Sequence, residues 1–444
     1  MSLEDNYLFE RFCERMAAVS ISHYLLVRWS YSTYLDSNKK KTESVIAKLD
    51  SSLLRRFSLE AATVEAINER TKAKLELSNY TENCNVFFEK LFHLPEKLKK
   101  YDKPKRNDKL REYMRRVSDK FFKQKGEYLD GIVFPIGTES SVVTSIATDH
   151  CFTFSTKERV PFKLVVETIG FEDAFRMKAG EQPEYKEAEE AEEGRGFILP
   201  ASYFGPEWAK TRAAISAKSI YGKIRSHRIQ CFMVKSGDDL RQEYMAMQLI
   251  GLFRDIFAKE NIKIWMRPYQ IVPYSSDSGL IEFIDDTRTI SYLKEVSRER
   301  SLKNIYRQIF GANWEASITN FIESLAGYSL IQYYFDIKDR HNNNILIDSQ
   351  GHIIHIDFSF MLSSSPGNMN FERAPFKLTQ DYLELMEGEQ SDIFQHFKLL
   401  FFLGVKYLRK YKKDIMELIM MMTDCPGLKC FIKFDRQRLE SKFL

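Results

Sequence analysis

A cluster of residues that could transfer phosphate lies near the middle of the C-terminal half of the chain. It consists of Asp339, Arg340, His341, Asn344 and Asp357. Carboxylate and amide oxygens are ligands that Mg²⁺ accepts, and Mg²⁺ readily shares them with phosphate groups. A carboxylate or an imidazole in the same cluster could accept the proton of a reacting hydroxyl group. This combination of residue types predicts a site for metal-assisted phosphoryl transfer.

Two short apolar segments around this cluster are predicted to position it. Residues 345–347 and 352–356 are rich in isoleucine, and residues 348–351 between them end in a glycine. Such runs around a short turn are typical of a β-hairpin with buried strands. A hairpin would carry the polar loop before it and Asp357 after it to the same end of the sheet. A long helix predicted over residues 319–334 leads into the loop.

A purely structural interpretation of the cluster is also open. Asp339 and Arg340 could form an ion pair, and the three asparagines at 342–344 could serve only as a turn. The pattern D-R-H-x-x-N followed by D-F-x is long and chemically coherent, which favours the functional interpretation.

The order Asp-Arg-His resembles the catalytic loop of phosphatidylinositol 3- and 4-kinases, whereas protein kinases use the order His-Arg-Asp. The segment K-S-G-D-D-L-R-Q-E at 235–243 is similar to the same family. The resemblance covers residues 150–440 strongly and residues 85–150 more faintly. Ser359 departs from the family, which has the glycine of D-F-G there, and this leaves the flexibility of the turn open.

The resemblance implies an α+β fold of the two-lobed, protein-kinase-like lipid kinase type. A β-rich N-lobe and a helical C-lobe would follow an α-helical domain. The predicted boundaries are 1–128 for the helical domain, 129–282 for the N-lobe with an acidic insertion at 180–196, and 283–444 for the C-lobe. Within the C-lobe, the predicted catalytic loop spans 337–346 and the activation loop spans 357–380.

A lysine at the end of a predicted strand precedes a predicted helix that carries a glutamate. Residues 229–234 are typical of a strand, and apolar residues mark one face of the helix that follows. Kinases pair a lysine and a glutamate in this way to hold an ATP-directed lysine. The alternative is an exposed lysine in front of an ordinary helix. The resemblance implies that Lys235 contacts an ATP phosphate and that Glu243 is its partner.

Other nucleotide contacts come from the resemblance together with weak local signals. Residues 155–161 join two predicted strands and could hold phosphate, although an ordinary exposed turn would look the same. Residues 264–272 and 279–284 are two further predicted strands, and the resemblance places adenine against the second. The predicted nucleotide-binding residues are Ser155, Thr156, Lys157, Lys235, Glu243, Tyr269, Glu282, Ile284, Leu346 and Ile356.

The resemblance also assigns roles within the catalytic cluster. Asp339 is the preferred base toward an inositol hydroxyl, and His341 is an alternative base or a group that stabilises the transferring phosphate. Arg340 orients the loop. Asn344 and Asp357 are the predicted metal ligands.

The predicted activation loop carries only two basic residues, Arg373 and Lys377, which are the candidate contacts to the lipid. Each additional phosphate on an inositol lipid would require charge-assisted donors. The scarcity of basic residues therefore favours plain phosphatidylinositol as substrate. The pieces S-S-S-P and P-F-K-L-T are similar to the type III phosphatidylinositol 4-kinases, the beta form in particular.

The implied activity is that of a 1-phosphatidylinositol 4-kinase, which transfers the γ-phosphate of ATP to the 4-hydroxyl of phosphatidylinositol. The implied cofactors are ATP and Mg²⁺, with Mn²⁺ as an alternative ion. Three alternatives stay open: a phosphatidylinositol 3-kinase, a protein kinase of the related family, and a nucleotide-binding pseudokinase scaffold.

The amino-acid composition of the chain limits which binding partners and which cellular compartment are expected. The 444 residues carry a formal net charge of only +4, which excludes the strongly basic profile of a dedicated nucleic-acid binder. Six scattered cysteines without a C-x-x-C pair indicate neither a zinc site nor a disulfide framework. No apolar run approaches the ~18 residues of a membrane span, and the N-terminal residues lack signal-peptide features.

These observations, together with the resemblance, predict a cytoplasmic monomer. It would be peripheral on the cytosolic face of Golgi or other endomembranes, where phosphatidylinositol is its lipid partner. A small GTPase or an adaptor would recruit it, and it would bind no nucleic acid.

Overall fold

The computed structural model describes residues 83–122, 132–134, 141–154, 159–178, 180–186, 201–205, 207–368, 374–423 and 427–444. These residues cluster into two compact units. The first unit is drawn from Met1–Ala191, Arg212–Leu240 and Gln270–Phe283, and the second from Glu192–Thr211, Arg241–Tyr269 and Ile284–Leu444. The domain boundaries expected from the sequence stay a prediction.

The strands are short and form two antiparallel sheets. They are β1 (Ile132–Phe134), β2 (Ser141–Ile146), β3 (Phe152–Thr153), β4 (Phe162–Gly170), β5 (Arg228–Ser236), β6 (Ile271–Pro273), β7 (Ser278–Glu282), β8 (Thr287–Thr289), β9 (Ile345–Asp348) and β10 (Ile353–His355).

The helices vary from one turn to six turns in length. They are α1 (Leu94–Lys99), α2 (Lys103–Phe122), α3 (Phe171–Lys178), α4 (Ala201–Phe204), α5 (Trp208–Lys218), α6 (Arg241–Lys259), α7 (Ile290–Ser297), α8 (Leu302–Phe310), α9 (Trp314–Phe335), α10 (Gln380–Leu385), α11 (Asp392–Leu408), α12 (Lys412–Thr423) and α13 (Arg436–Ser441). Residues 83–92 are also helical. No helix in the described ranges has both the length and the apolar character needed to cross a membrane.

The first unit contains a seven-stranded sheet in its described residues. The strand order is β1-β2-β4-β5-β7-β6, and β3 pairs with β4 beside this path. The central strand β4 is buried along almost its whole length. Its apolar run Leu164-Val-Val166 therefore forms the middle of the core, as expected for a strand that is covered on both faces.

The backbones of β6 and β7 approach each other closely at Gly279, next to the strand that carries Lys235. Lys235 on β5 lies opposite Gly279 on β7, and Gly279 also pairs with Pro273 on β6. A Cβ atom at position 279 would lie 2.4 Å from the carbonyl oxygen of Val272. Only glycine fits here without displacement of backbone atoms.

The core of the second unit is built around α9, which is buried on nearly every side. It packs against α11 and β10. A Cβ atom at Gly327 would lie 3.0 Å from the carbonyl oxygen of Trp265 and 2.7 Å from the Met266 side chain, so this glycine allows the backbone of residues 264–266 to approach the helix closely. The helix predicted over residues 319–334 is confirmed and extends further at its N-terminal end.

The predicted β-hairpin after the catalytic cluster is confirmed. Strands β9 and β10 pair antiparallel with Ile347 opposite Ile353, and β8 adds to the other edge of β9. Gly351 in the turn has φ +93°, a conformation that favours glycine. The Asp348 carboxylate accepts hydrogen bonds from backbone N–H groups of the same turn. The N–H of His352 donates to the Asp348 Oδ1 atom at 2.9 Å.

The strand predicted over residues 264–272 is wrong for most of its length, because only the last two of these residues belong to β6. The backbone N–H of Trp265 donates to the carbonyl oxygen of Glu323 on α9 at 3.2 Å. The backbone N–H of Arg267 donates to the Tyr328 hydroxyl at 3.3 Å, and Pro268 has no N–H to offer. This segment therefore bonds to a helix instead of to a neighbouring strand.

The substitution Gly279→Ala is expected to lower the free energy of unfolding by about 2 kcal/mol, since the new methyl group meets backbone atoms that cannot easily move. Urea denaturation followed by circular dichroism measures this change. Gly251→Ala on α6 is the control, because a Cβ atom there meets no heavy atom within 4 Å. That variant should gain roughly 0.5–1 kcal/mol. Equal stability of the two variants would contradict the proposed close approach.

Candidate active site

The catalytic loop is tied by its backbone to the segment that follows Asp357. The helix α9 ends at Asp336, which has the left-handed φ of 48°. The backbone N–H of Lys338 then donates to the carbonyl oxygen of Phe360 at 3.0 Å, and that of Leu362 donates to the carbonyl oxygen of Phe335 at 2.7 Å. Backbone hydrogen bonds therefore join the loop that carries Asp339 to the segment that follows Asp357.

The side chain of Arg340 connects the same two backbone segments through further hydrogen bonds. Its side chain is buried, and its Nε donates to the carbonyl oxygen of Lys338 at 2.9 Å. Nη1 donates to the carbonyl oxygen of Ile356 at 2.8 Å, and Nη2 donates to that of Asp357. Burial lowers the pKa of the guanidinium, while the Asp357 carboxylate acts in the opposite direction. The predicted role in orienting the loop fits this geometry.

Asp339 and His341 project from the loop as partly exposed side chains. Asp339 has a left-handed φ of 61°. The His341 Nε2 atom lies 4.0 Å from the Asp339 Oδ2 atom. His341 Nδ1 accepts a hydrogen bond from the backbone N–H of Asn343 at 3.2 Å. A neutral imidazole that accepts at Nδ1 carries its proton on Nε2, so His341 faces the carboxylate as a donor.

The side chain of Asn344 is anchored to the loop through its amide nitrogen. Its Nδ2 donates to the carbonyl oxygen of Asp339 at 2.9 Å, which leaves the amide oxygen as the atom that could bind a cation. The backbone carbonyl of Asn344 accepts from the N–H of Ile356 at 3.0 Å, one residue before Asp357. An amide oxygen and a carboxylate are hard ligands that fit Mg²⁺.

The described residues contain no group of three or more His, Cys, Asp or Glu side chains that could hold a metal ion. A cation held by Asn344 and Asp357 would therefore complete its coordination with phosphate and water oxygens. Mg²⁺ commonly binds in this way, through one or two protein carboxylates plus substrate phosphates.

Ser359 is compatible with the turn in which the family has glycine. The residue of this turn with a left-handed φ is Asp357, at 60°, and Ser359 is not among the described residues with positive φ. The Ser359 hydroxyl donates to the Asp357 Oδ1 atom, and its backbone N–H lies 3.3 Å from the same atom. The serine thus supports the carboxylate without backbone strain.

The beginning of α6 supplies two further buried groups of the second unit. Gln242 Nε2 donates to the carbonyl oxygen of Phe358 at 2.9 Å. The Tyr269 hydroxyl donates to the Glu243 Oε1 atom at 2.8 Å, and both side chains are at least 95% buried. Burial, followed by the Glu243 charge, raises the pKa of Tyr269 well above its usual value, so this hydroxyl stays protonated.

The predicted nucleotide-binding residues are divided between the two units. Lys235 and Glu282 belong to the first unit, whereas Glu243 belongs to the second. The pairing of Lys235 with Glu243 therefore stays a prediction. In the second unit, the predicted nucleotide-binding residues are Glu243, Tyr269, Ile284, Leu346 and Ile356. Ser155, Thr156 and Lys157 lie outside the described residues, as does the predicted lipid contact Arg373.

Lys377, the other predicted lipid contact, lies against the catalytic loop. Its Nζ donates to the carbonyl oxygen of Arg340 at 2.6 Å and to the Asn342 Oδ1 atom at 3.1 Å. Its backbone N–H donates to the Gln332 side chain on α9 at 3.0 Å. These contacts give Lys377 a clear part in positioning the loop, and its contact with lipid stays a prediction.

Sequence reasoning missed three buried polar residues that support the site. Gln242 and Gln332 bind backbone groups on either side of it, and His355 on β10 stacks on the ring of Tyr328 with centroids 4.7 Å apart. Their only sequence signal is a polar residue on the apolar face of a helix or strand. That signal does not identify a partner.

The structure brings together the loop Asp339-Arg-His341 with Asn344 and the segment of Asp357, the residues that carry the resemblance to lipid kinases. Residues 229–430 match the family model described as phosphatidylinositol 3- and 4-kinase. This match confirms the resemblance over these residues, and it confirms the predicted α+β lipid kinase fold.

Curated relatives agree over the same region. The chain is 45% identical over 249 residues to phosphatidylinositol 4-kinase beta 2 of Arabidopsis thaliana, which covers 54% of this chain and 22% of that protein. It is 43% identical over 250 residues to phosphatidylinositol 4-kinase of Dictyostelium discoideum, covering 55% and 21%. It is 41% identical over 228 residues to phosphatidylinositol 4-kinase beta of Danio rerio, covering 50% and 27%. The chain thus spans about a quarter of the length of these relatives.

The substitution Arg340→Lys is expected to lower the free energy of unfolding by about 2 kcal/mol. A lysine keeps the charge but cannot reach three carbonyl oxygens with a rigid planar fork. Urea denaturation measures the change. Arg436→Lys is the control, because Arg436 is 60% exposed and pairs with Glu440 on the next turn of its own helix. We call the three hydrogen bonds of the Arg340 side chain the Arg340 clamp. If both variants kept wild-type stability, this clamp would be energetically unimportant.

Stability is expected to fall in mildly acidic solution because of His355. Burial, followed by the positive charges of Arg340 and Lys377, holds the pKa of this imidazole well below its usual 6.5. Neither of its ring nitrogens has a hydrogen-bond partner among the described residues. Below about pH 6.5 the unfolded chain takes up a proton that the folded chain does not, so the free energy of unfolding decreases as the pH falls.

The variant His355→Phe keeps the stacking on Tyr328 and removes the titrating group. Its free energy of unfolding should decrease less between pH 7.5 and pH 5.5 than that of the wild type. His396→Gln, which changes an exposed histidine, is the control and should follow the wild type. An unchanged pH dependence in His355→Phe would show that other groups cause the acid sensitivity.

Proposed function

We propose that this chain transfers the γ-phosphate of ATP to the 4-hydroxyl of phosphatidylinositol and forms phosphatidylinositol 4-phosphate. The single observation that carries the proposal is the Arg340 clamp. It fixes the loop that bears Asp339 and Asn344 to the segment that bears Asp357. The relatives named phosphatidylinositol 4-kinase beta support the choice of lipid and of the 4-hydroxyl.

Phosphoryl transfer requires mainly that the reactants are positioned and that negative charge is neutralised. A bound Mg²⁺ would supply positive charge to the phosphate groups of ATP. Asn344 and Asp357 would hold this ion, and the Ser359 hydroxyl, which donates to Asp357 Oδ1, would orient that carboxylate. Asp339 accepts the proton of the attacking inositol hydroxyl at one of its carboxylate oxygens. His341, with its proton on Nε2, donates to the developing negative charge.

The remaining predicted residues would bind the nucleotide. The family resemblance implies that Lys235 would contact an ATP phosphate and that Glu243 would be its partner. The Tyr269 hydroxyl, which donates to the Glu243 Oε1 atom, fixes the orientation of that carboxylate. This hydrogen bond occupies one carboxylate oxygen of Glu243 and limits the rotation of the carboxylate.

The proposal includes a location and partners. The enzyme would act on the cytosolic face of Golgi or other endomembranes as a peripheral protein, and a small GTPase or an adaptor would recruit it. Mg²⁺ is the proposed metal, with Mn²⁺ as an alternative.

A pseudokinase scaffold is the main alternative from a different functional class. Ser359 stands where the family has a glycine, and a departure from the family pattern at this turn is a feature that a scaffold could carry. The structure shows that serine supports the Asp357 carboxylate in this turn. That observation favours an active enzyme over a scaffold.

The substitution Asp339→Asn tests the enzymatic proposal. Loss of the base should lower the turnover of Mg²⁺-ATP with phosphatidylinositol vesicles by roughly 10²- to 10⁴-fold, while circular dichroism shows an intact fold. Asp255→Asn is the control, because this residue is 66% exposed and lies on α6. Equal turnover in Asp339→Asn and wild type would remove Asp339 from the mechanism. A scaffold would show no turnover in any of the three proteins.

A further inference from the structure

A cavity of about 750 Å³ opens beside the catalytic loop within the second unit. Four basic side chains line it, and no carboxylate is among its described lining residues. The basic residues are Lys338, Lys429, Lys433 and Arg438. They come from two separated parts of the sequence, the catalytic loop and the C-terminal segment. Neither the catalytic mechanism nor the predicted lipid contacts account for this concentration of positive charge.

The Asp336 carboxylate lies beside the cavity and pairs with one of its four basic side chains, Arg438. Arg438 Nη2 is 3.3 Å from the Asp336 Oδ2 atom, and Lys442 Nζ is 2.9 Å from the same atom. A single carboxylate is therefore shared by two cations and cannot neutralise both. Clefts lined by one sign of charge concentrate ligands of the opposite sign. Phosphate groups are the anions that such clusters of lysine and arginine bind best.

Hydrogen bonds build the wall of the cavity that carries two of the lysines. The Ser363 backbone N–H and hydroxyl both donate to the carbonyl oxygen of Cys430, at 3.3 Å and 2.7 Å. The Ser363 hydroxyl in turn accepts from the backbone N–H of Lys433 at 3.3 Å. Residues 429–433 are thus fastened to the segment that follows Asp357. A backbone that is fixed before binding loses less entropy when its side chains take up a ligand.

The position of the cavity relates it to the reacting groups. Lys338 directly precedes Asp339, and Ser359 lines the cavity while its hydroxyl donates to the Asp357 carboxylate. In phosphatidylinositol the phosphodiester is attached to carbon 1 of the ring, opposite carbon 4. A phosphodiester held in the cavity would place the 4-hydroxyl one ring width away. Ile432, which is 74% exposed, lines the same cavity and offers an apolar contact to the lipid.

We propose that this cavity binds the phosphodiester of the phosphatidylinositol substrate through Lys429, Lys433 and Arg438. This inference rests on the proposed function and deepens it. It assigns the recognition of lipid phosphate to the C-terminal segment, whereas Lys377 is engaged with the catalytic loop. The shared chemistry is a phosphate ester, which a soluble phosphate could also supply, so the test must separate the two sources.

The double variant Lys429→Ala with Lys433→Ala removes two of the proposed donors. The KM for phosphatidylinositol in phosphatidylcholine vesicles should rise at least tenfold, because two charge-assisted contacts are lost. The KM for ATP and the kcat at saturating lipid should change less than twofold. Lys406→Ala with Lys413→Ala is the matched control, since it removes two exposed lysines from helices α11 and α12 of the same unit. An unchanged KM for lipid in the first variant would overturn the proposal.

Direct binding separates the possible sources of phosphate and does not depend on turnover. Calorimetry should show that glycerophosphoinositol binds the wild type, and that the Lys429/Lys433 variant binds it at least tenfold more weakly. Equal affinity of the wild type for inorganic phosphate would overturn the assignment to the lipid. An equal loss of binding to phosphatidylserine vesicles would show general membrane attraction and would also overturn it. If the wild type makes no lipid product, the proposed function fails, while the calorimetric result still decides the cavity.

Discussion

The site depends on one buried guanidinium group. Arg340 reaches three backbone carbonyls, and two of them belong to the segment that contains Asp357. A buried charge is costly unless it is fully hydrogen-bonded, so these bonds must form together. Because they do, the loop that carries Asp339 and the turn that carries Asp357 cannot move independently. The positions of Asp339 and Asn344 relative to Asp357 follow from this single interaction.

The elements around Arg340 supply the rigidity that the clamp requires. Helix α9 delivers the loop from a core in which Gly327 allows residues 264–266 to pack against its backbone. Gln332 on the same helix accepts from the backbone N–H of Lys377, whose ammonium group binds the Arg340 carbonyl oxygen. Fold and site are therefore connected through specific polar contacts in addition to apolar packing. Ser359 belongs to this network, since it supports Asp357 where a glycine would leave the carboxylate without a hydroxyl donor.

Local patterns predicted the elements whose signal is contained in a short stretch of sequence. Isoleucine-rich runs around a turn with Gly351 predicted the β9–β10 hairpin, and apolar residues on one side of a helix predicted most of α9. The strand expected over residues 264–272 failed over its first seven residues because backbone donors there bond to α9, a contact that the local sequence does not encode. The basic cavity was missed for a related reason. Lys338 and Lys429 are far apart in the sequence, and only the folded chain brings them together.

The position of the new phosphate on the inositol ring tests the central claim most directly. Labelled phosphate should be transferred from Mg²⁺-ATP to phosphatidylinositol vesicles by the wild-type chain, and the product should be identified by chromatography against both isomers. The account predicts phosphatidylinositol 4-phosphate. Phosphatidylinositol 3-phosphate would contradict the proposed substrate geometry and keep the phosphoryl transfer chemistry. Binding of ATP without any lipid product would contradict the account as a whole.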